Sequence, residues 1–316
     1  MPTQVQTRLI DGSKIARDIK QEVNKQVEEL SSRGLQPGLA VVLVGNNPAS
    51  QVYVRNKTRV CVEPGIHSEQ VDLPASVSTR ELLSAIGQLN QSDHIDGVLV
   101  QLPLPHHIEA DRILHSVHPA KDVDGFHPVN VGKLCTGKPS FVPCTPAGIL
   151  EILRREEIPM VGERAVVIGR SNIVGKPLAL ILLREHCTVT LCHSRTRDLS
   201  EISSRADILV AAVGRAGLVT GDFIQPGATV IDVGMNRAET LSQVRHLFGE
   251  DPKRLETFRR KGSCLVGDVH PAEVMGVAGA FTPVPGGVGP LTIAQLMRNT
   301  VLACQWRRVQ SKRRAM

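Results

Sequence analysis

Short apolar runs alternate with helical segments along this chain, and the alternation restricts its fold more than any other feature. In the first half the strand candidates are Leu39–Val44, Ser68–Leu73 and Gly97–Gln101. In the second half they are Ala165–Gly169, Thr188–Cys192, Ile208–Val213, Thr229–Val233 and Cys264–Val269. Between the runs, apolar residues recur at the spacing of an amphipathic helix. Strands that alternate with helices form a parallel sheet with helices on its faces, so the sequence predicts an α/β fold.

The predicted helices complete this alternation. They are Ser13–Leu30, Ala49–Val62, Thr79–Asn90, Pro146–Glu156 and Leu291–Trp306. Between Asn236 and Gly262 the chain is charged and shows no clear strand. We expect an exposed insertion there, with one short helix.

The length and the turn residues predict two domains. A chain of 316 residues is longer than most single domains, and the stretch Lys121–Pro146 is rich in glycine and proline with weak periodicity. A junction is therefore expected there, between an α/β domain of residues 1–146 and a domain of residues 147–289. The second domain is predicted to have the doubly wound parallel sheet of a Rossmann fold. The last helix, within residues 290–310, is expected to return to the first domain.

The charge and the cysteines narrow the possible partners. The net charge is +6, but no basic stripe with interleaved aromatic residues is present, so anionic small molecules are expected as partners rather than nucleic acid. Seven cysteines without a C-x-x-C pair argue against disulfides and a structural metal site, and favour a reducing compartment such as the cytoplasm. No apolar run reaches the length of a membrane span, and the N-terminal stretch does not have the pattern of a secretory signal.

A candidate dinucleotide site lies between Arg164 and Pro177. An apolar strand ends there at Gly169, Arg170 and Ser171 follow, and a second glycine stands at 175 where a helix is expected to begin. Such a turn presents backbone N–H groups and a helix N-terminus to a pyrophosphate. The middle glycine of the G-x-G-x-x-G pattern is missing, so an ordinary strand-to-helix turn remains the alternative.

The end of the next strand favours NADP over NAD. An NAD enzyme places Asp or Glu there to bind the adenosine ribose. This chain has Ser194 and Arg195 instead, and their hydroxyl and guanidinium groups can bind a 2′-phosphate. The alternative is that Arg195 is a solvated surface residue. Gly214, and Gly234 with Met235, also follow apolar runs, at the sheet edge where a ligand approaches.

Candidate substrate residues lie in the first half. Tyr53 and Lys57 share one face of a predicted helix, and a tyrosine hydroxyl beside a lysine amine can move protons. The alternative is a half-exposed helix face. Gln101 ends a strand, so its amide reaches the carboxyl edge of the sheet. Asp122 and Asp124 precede a glycine, a pattern that is more often turn chemistry than catalysis.

The string Thr282–Thr292 has the most unusual composition in the chain. It combines several glycines and prolines directly before the last predicted helix. These residues make a stiff loop that tolerates a close backbone approach. A loop that lines a ligand is therefore favoured over a plain linker.

Together these motifs resemble the methylenetetrahydrofolate dehydrogenase/cyclohydrolase family. The resemblance extends from about Ile10 to Ala303. The most specific matches are Tyr53-Val-Arg-Asn-Lys57, Val100-Gln-Leu-Pro-Leu-Pro105, Lys121-Asp-Val-Asp-Gly125, Gly169-Arg-Ser-Asn-Ile-Val-Gly175 and Pro283-Val-Pro-Gly-Gly-Val-Gly-Pro290. The resemblance implies an N-terminal α/β domain joined to a Rossmann domain, with the substrate in the cleft between them and a homodimer as the usual assembly.

The resemblance also implies roles for individual residues. Lys57 is the expected catalytic lysine, Tyr53 stacks on the substrate, Gln101 tunes the lysine and Asp124 anchors the pterin. The implied folate-binding residues are Tyr53, Val100, Leu102, Pro103, Pro285, Gly286, Gly287, Val288 and Gly289. The implied NADP-binding residues are Gly169, Arg170, Ser171, Gly175, Ser194, Arg195, Gly214 and Met235.

The implied activity has two steps, and three alternatives stay open. NADP⁺ would oxidise 5,10-methylenetetrahydrofolate to the 5,10-methenyl form, which water would convert to 10-formyltetrahydrofolate. The alternatives are a dehydrogenase without cyclohydrolase activity, another two-domain NADP oxidoreductase, and a binder without catalysis. Lys57 and Gln101 are both present, which argues against the first. The pair Phe126-His127 and the long segment Ala238–Gly262 depart from the common family pattern.

Overall fold

A computed structural model describes residues 5–45 and 65–309 of the chain. The predicted helix Ala49–Val62, which carries Tyr53 and Lys57, lies outside these residues. Within the described ranges, no helix combines the length and the apolar character that crossing a bilayer requires.

The chain divides into two compact units. The six-stranded unit comprises Met1–Ala16 and Thr145–Thr292, and the three-stranded unit comprises Arg17–Cys144 and Ile293–Met316. The strands of the described chain are β1 (Arg8–Leu9), β2 (Gly38–Val44), β3 (His67–Leu73), β4 (Gly97–Val100), β5 (Arg164–Ile168), β6 (Thr188–Cys192), β7 (Ile208–Ala211), β8 (Thr229–Asp232), β9 (Asn236–Ala238), β10 (Cys264–Val266) and β11 (Ala280–Phe281). The α-helices are Gly12–Ser31, Thr79–Gln91, Ala110–Leu114, Pro128–Cys135, Cys144–Arg155, Gly175–Arg184, Leu199–Ser203, Leu241–Phe248, Pro252–Lys261, Pro271–Val274 and Gly289–Cys304, with short turns of other helix types at Gly221–Phe223 and Gln305–Val309.

The six-stranded unit is built on one parallel sheet. Its strand order is β1-β11-β8-β7-β5-β6, and every neighbouring pair is parallel. From β5 the chain runs outwards to β6 and then returns to β7 on the other side of β5. This reversal makes the sheet doubly wound and confirms the predicted fold class. Ligands of such sheets bind where the order reverses, outside the carboxyl ends of the strands.

The central strands are buried on both faces, which is why the sequence shows them as continuous apolar runs. All residues of β7 and β8 are buried, and so are all but the first of β5. Side chains from these strands form one core together with residues such as Ile224, Val274 and Phe281. Burial on both faces is the usual situation of a parallel strand with helices above and below it.

The segment from Asn236 to Val266 differs from its prediction. It contains two helices, Leu241–Phe248 and Pro252–Lys261, where one short helix was expected. Its strands β9 and β10 pair antiparallel with each other, so β10 does not join the parallel sheet as the sequence suggested. The segment has a small core of its own, to which Ala238, Val244, Leu247, Phe248, Leu255, Phe258, Cys264 and Val266 contribute.

The three-stranded unit contains a parallel sheet in the order β3-β2-β4. All seven residues of the central strand β2 are buried, whereas the edge strand β3 mixes exposed and half-buried residues. The helix Thr79–Gln91 packs Leu82, Ile86 and Leu89 into the same core. It begins with a capping box, in which Ser78 and Glu81 exchange side-chain and backbone hydrogen bonds.

The final helix is tied to the three-stranded unit by polar contacts. The amide of Asn299 donates to the carbonyl oxygens of Val123 at 2.8 Å and Val142 at 3.0 Å. The buried carboxylate of Asp96 accepts hydrogen bonds from Arg307 and Arg308 just beyond this helix. Burial raises the pKa of Asp96, and the two arginines oppose this shift.

Candidate active site

The loops that follow β5 and β7 meet at the point where the strand order reverses. Gly169 lies there with φ +130°, a backbone conformation that favours glycine. A Cβ atom on Gly169 would lie 2.1 Å from the carbonyl oxygen of Ala212, so the two loops can approach this closely only without a side chain. The predicted glycine turn is therefore part of the close packing at the carboxyl edge of the sheet.

The helix that starts at Gly175 folds tightly against this turn. A Cβ on Gly175 would lie 1.9 Å from the carbonyl oxygen of Gly169. The hydroxyl of Ser171 accepts hydrogen bonds from the N–H groups of Val174 at 3.1 Å and Gly175 at 3.3 Å. These contacts hold the loop that joins β5 to the helix in one conformation.

A cavity of about 420 Å³ opens beside this loop. Four of the predicted NADP-binding residues line it, namely Gly169, Arg170, Ser171 and Ser194. Four others do not: Gly175 is buried under the turn, while Arg195, Gly214 and Met235 are exposed outside the lining. The remaining lining residues are Ile168, His193, Thr196, Leu199, Ala212, Val213, Arg215 and Leu218.

The charges of the cavity suit an anion. Arg170 and Arg215 both line it, and none of the lining residues that the structure describes is acidic. The turn after β6 is organised by His193, whose backbone N–H donates to the hydroxyl of Thr196 at 2.9 Å and whose ring accepts from the N–H of Arg195 at 3.1 Å. This turn presents hydroxyl and guanidinium groups where an NAD enzyme has a carboxylate. The sequence did not single out Arg215, although this residue directly follows the predicted site glycine Gly214.

Beneath the cavity loops lies a buried carboxylate that the sequence did not reveal. Asp268 is fully buried and accepts hydrogen bonds from three consecutive backbone N–H groups, those of Val213 at 2.6 Å, Gly214 at 3.0 Å and Arg215 at 2.8 Å. The side-chain amide of Asn236 donates to it at 2.9 Å. Because Val213 and Arg215 line the cavity, Asp268 holds one of its walls in place.

A second buried carboxylate, Asp232, holds Asp268 in turn. Asp232 ends β8 and accepts hydrogen bonds from the N–H groups of Gly234 at 2.9 Å, Asp268 at 2.8 Å and Val269 at 3.0 Å. A Cβ on Gly267 would lie 1.7 Å from the carboxylate of Asp232, so a glycine is required beside it. Burial raises the pKa of Asp232 to about 7, although the three N–H donors oppose the shift.

This pKa predicts a pH dependence of stability that Asp232→Asn should remove. A carboxyl group whose pKa is raised by folding stabilises the fold fully below its unfolded pKa, and this contribution is lost as the pH rises through the folded value. Between pH 4 and pH 7 the wild type should therefore lose about 1.4 kcal/mol per pH unit relative to the variant. Urea unfolding of both proteins across this range measures the difference, and parallel pH profiles would contradict the prediction. Asp232→Asn also loses the hydrogen bond from the N–H of Val269. This loss lowers the free energy of unfolding of the variant by the same amount at every pH.

The proline- and glycine-rich loop after β11 is held by its own backbone and by the first helix. The N–H of Gly287 donates to the carbonyl oxygen of Pro283 at 2.8 Å. The N–H of Ser13 donates to the carbonyl oxygen of Gly286 at 3.1 Å. A Cβ on Gly12 would lie 1.9 Å from the carbonyl oxygen of Gly287. Among the five predicted folate-binding positions of this loop, Pro285 and Gly289 are exposed, Gly286 is half-buried, and Gly287 and Val288 are buried.

In the three-stranded unit, Gln101 follows β4 at the carboxyl edge of the sheet. Its backbone N–H donates to Val42 at 2.9 Å, and its side-chain amide donates to the carbonyl oxygen of Leu102 at 2.7 Å. Val100 is buried, Leu102 is half-buried and Pro103 is exposed. The amide is therefore held next to the two predicted substrate positions that have accessible surface.

The loop Lys121–Gly125 contains two buried charged residues, Lys121 and Asp122, and one half-buried aspartate, Asp124. Lys121 is buried, and its amine donates to the carbonyl oxygens of Leu89 at 2.9 Å and Ser92 at 2.6 Å. Burial lowers the pKa of Lys121 to about 8. The buried carboxylate of Asp122 accepts from the N–H groups of Phe126 and His127 and from the amide of Asn130. Burial raises the pKa of Asp122 despite these donors.

Asp124 is the carboxylate of this loop that keeps accessible surface. It is half-buried, and the thiol of Cys144 lies 3.7 Å from its Oδ1. His127, which departs from the common family pattern, caps the helix Pro128–Cys135 by accepting from the N–H of Val129 at 3.1 Å. The loop thus uses the buried Asp122 for its turn, whereas part of the surface of Asp124 stays accessible.

Comparisons with known proteins agree with these features. Residues 10–124 match the catalytic domain of the tetrahydrofolate dehydrogenase/cyclohydrolase family, and residues 143–308 match its NAD(P)-binding domain. The "Bifunctional protein FolD" of Koribacter versatilis is 57% identical over 300 residues, which cover 95% of this chain and 97% of that protein.

Solved structures show the same relationship. The FolD methylenetetrahydrofolate dehydrogenase/cyclohydrolase of Campylobacter jejuni superposes with a TM-score of 0.86 at 43% identity, covering 95% of this chain and 99% of that one. The FolD of Trypanosoma brucei, solved with NADP cofactor and an inhibitor, gives a TM-score of 0.86 at 38% identity and covers 98% and 100% of the two chains. This chain therefore belongs to the tetrahydrofolate dehydrogenase/cyclohydrolase family.

Proposed function

We propose that the protein oxidises 5,10-methylenetetrahydrofolate with NADP⁺ and then hydrolyses the product to 10-formyltetrahydrofolate. The observation that carries this proposal is the match of the chain to both the catalytic and the NAD(P)-binding domain of the family. The cavity at the strand reversal, with a glycine turn and no acidic residue among its described lining, supports NADP as the dinucleotide.

The NADP site is proposed to include both the lining residues and their neighbours. Gly169 and Gly175 allow the tight turn, while Arg170, Ser171, Ser194 and Arg195 supply charge and hydroxyl groups for the phosphates. Gly214 and Met235 follow β7 and β8 at the same edge of the sheet. NADP⁺ supplies the hydride acceptor, and the task of these residues is to bind and orient it.

Arg195→Ala should raise the Michaelis constant for NADP by at least about tenfold and change that for NAD much less. One charge-assisted hydrogen bond to a 2′-phosphate is worth about 1.5–3 kcal/mol, and only NADP carries this phosphate. Initial rates with both nucleotides measure the ratio. Arg197→Ala is the matched control, because Arg197 is an exposed arginine on the same turn. Equal changes for NADP and NAD would place the phosphate elsewhere.

The proposed chemistry divides between orientation and proton transfer. In the first step a hydride leaves the methylene carbon, so the protein must hold that carbon against the nucleotide. In the second step water attacks the methenyl carbon, loses a proton, and the ring opens at nitrogen. Lys57 moves these protons, which requires its pKa to be lowered from the ordinary value of about 10.4. Gln101 favours the neutral amine by a hydrogen bond, Tyr53 stacks on the pterin and Asp124 anchors it.

The substrate and assembly complete the proposal. We assign folate binding to a catalytic domain of residues 1–146 and NADP binding to a domain of residues 147–289, with residues 290–310 belonging to the first domain. Val100, Leu102, Pro103 and the loop Pro285–Gly289 line the substrate. The protein acts as a homodimer in the cytoplasm, where its cysteines stay reduced.

A spectrophotometric assay of the purified protein tests the function. With methylenetetrahydrofolate and NADP⁺, we expect NADPH to form and the methenyl absorbance to decay faster than without enzyme. NADPH formation without accelerated decay would indicate a dehydrogenase alone. Reduction of NADP⁺ that needs no folate would indicate a different oxidoreductase, and binding of both ligands without turnover would indicate a non-catalytic protein.

A further inference from the structure

Two histidines and a glutamate meet at the amino edge of the sheet in the three-stranded unit. His67 and Glu69 lie two residues apart on the edge strand β3, so their side chains point to the same face. His94 lies in the loop before β4, and its Nε2 is 3.6 Å from the carboxylate of Glu69. The potential ligand atoms of the three residues all lie within 4.8 Å of one another.

The backbone beneath these side chains brings them together. Gly38 is the register partner of His67 in the β2–β3 pair. A Cβ on Gly38 would lie 1.9 Å from the carbonyl oxygen of His94, so the missing side chain lets the His94 loop lie close to His67. The buried carboxylate of Asp96 fixes this arrangement by accepting the N–H of Gly38 at 3.1 Å.

The imidazole of His94 already faces a prospective co-ligand, because its Nε2 is the nitrogen next to the carboxylate of Glu69. The hydroxyl of Ser92 lies 3.0 Å from Nδ1 and 3.4 Å from Nε2 of the same ring, so it contacts the ring without occupying one nitrogen alone. The carbonyl oxygen of Ser92 is held in turn by the buried amine of Lys121. The loop that carries His94 is thereby fixed at Ser92.

We propose that His67, Glu69 and His94 bind a divalent transition-metal cation such as Zn²⁺. Imidazole nitrogens and a carboxylate are ligands that zinc, nickel and copper prefer, whereas Mg²⁺ prefers oxygen ligands alone. Ligands at zinc distances lie about 3.4 Å apart in a tetrahedron, so rotation of exposed side chains is sufficient to close the site. Three protein ligands leave a coordination position for water or for an exogenous ligand.

Isothermal titration of the metal-free protein with Zn²⁺ tests this site. The wild type should bind one equivalent that the double variant His67→Gln/His94→Gln binds at least 100-fold more weakly. Mg²⁺ should give no saturable binding, and substitution with Co²⁺ should give a visible spectrum that the double variant lacks.

Matched variants separate this site from other metal-binding groups. His115 and His127 also form a close ring pair, with centroids 6.1 Å apart, but do not belong to a metal-ligand group among the described residues. His115→Gln should therefore leave zinc affinity unchanged. The exposed thiol of Cys135 is removed by Cys135→Ser in every protein compared. The proposal is overturned if the wild type shows no saturable zinc binding, or if the double variant binds as tightly as the wild type.

A different observation gives the segment Asn236–Val266 a role. Arg254 lies on its second helix, and its guanidinium donates to the carbonyl oxygen of Val284 at 2.9 Å and to that of Leu265 at 3.3 Å. The same group lies over the ring of Phe248, 4.5 Å from its centroid. Val284 directly precedes the Pro285–Gly289 loop. The half-buried guanidinium of Arg254 thus connects both helices of the segment to this loop.

We infer that Arg254 is a positioning residue for folate, acting through the Pro285–Gly289 loop. The inference rests on the proposed function, because that function places the loop against the substrate. A guanidinium with two carbonyl acceptors and an aromatic face holds a loop more rigidly than a flexible ammonium can. The effect should therefore fall on folate and spare the separate NADP cavity.

Kinetics of Arg254→Met test this inference. We expect the Michaelis constant for methylenetetrahydrofolate to rise at least fivefold with an unchanged dissociation constant for NADP, and Arg254→Lys to restore part of the loss. Arg259→Met, at an exposed arginine of the same helix, should match the wild type. An unchanged folate constant, or equal losses for both ligands, would overturn the role of Arg254. A wild type without folate turnover would instead refute the proposed function.

Discussion

The Lys57→Met variant is expected to lose methenyl hydrolysis by at least about 100-fold, because proton transfer by a positioned group typically contributes that much or more. Methionine keeps an unbranched side chain of similar length but has no amine to exchange protons with water or nitrogen. NADP binding should be retained, since every residue that lines the described cavity lies between Ile168 and Leu218. The decay rate of methenyl absorbance and the dissociation constant for NADP measure the two effects separately.

Lys133→Met provides the control for this variant. Lys133 is an exposed lysine of the same unit, so Lys133→Met makes the same change of side chain without altering the proposed site. Both activities of the control should equal those of the wild type. Hydrolysis by Lys57→Met at the wild-type rate would refute the role assigned to this amine, and a parallel loss of NADP binding would indicate a general structural defect.

The fold could be predicted largely because the central strands are buried on both faces. Strands such as β2 and β7 contain only buried residues and therefore form continuous apolar runs in the sequence. The two-residue strands β1 and β11 were missed, since they are too short to show any periodicity. The helix Pro252–Lys261 was obscured in another way, because none of its residues is buried and its composition is highly charged.

The glycine turn of the cavity was predicted because its chemistry is local in sequence. Gly169, Arg170 and Ser171 are consecutive, and the strand-turn-helix pattern around them is sufficient to suggest a phosphate site. Residues that converge from distant segments gave no such signal. Asp268 is separated by more than 50 positions from the three N–H groups that it binds.

The proposed metal site could not be predicted from the sequence for the same reason. Glu69 and His94 lie far apart in sequence, with a whole helix between them. Only the fold places His94 against Gly38 and thereby beside β3. Spacing rules for metal sites rely on ligands that are close in sequence, so they do not detect three ligands joined by a sheet edge and a loop.

Asp268→Ala is expected to lower the free energy of unfolding by about 4 kcal/mol, because four part-buried donors lose a buried acceptor and each unsatisfied group costs about 1 kcal/mol or more. These donors are the N–H groups of Val213, Gly214 and Arg215 and the amide of Asn236. A loss of this size is a large share of the total stability of an ordinary domain. Urea unfolding monitored by circular dichroism measures it.

Asp268→Asn separates stability from ligand binding. Its amide keeps one acceptor oxygen but points an NH₂ group at backbone N–H groups, so part of the loop between Val213 and Arg215 should be released while the fold survives. We therefore expect a smaller loss of stability and a dissociation constant for NADP raised by about tenfold, as for the loss of one charge-assisted hydrogen bond. Glu256→Ala, at an exposed acid of the same unit, should change neither quantity. If Asp268→Ala unfolds within 0.5 kcal/mol of the wild type, about the range of an ordinary surface substitution, the buried carboxylate does not hold this wall of the cavity.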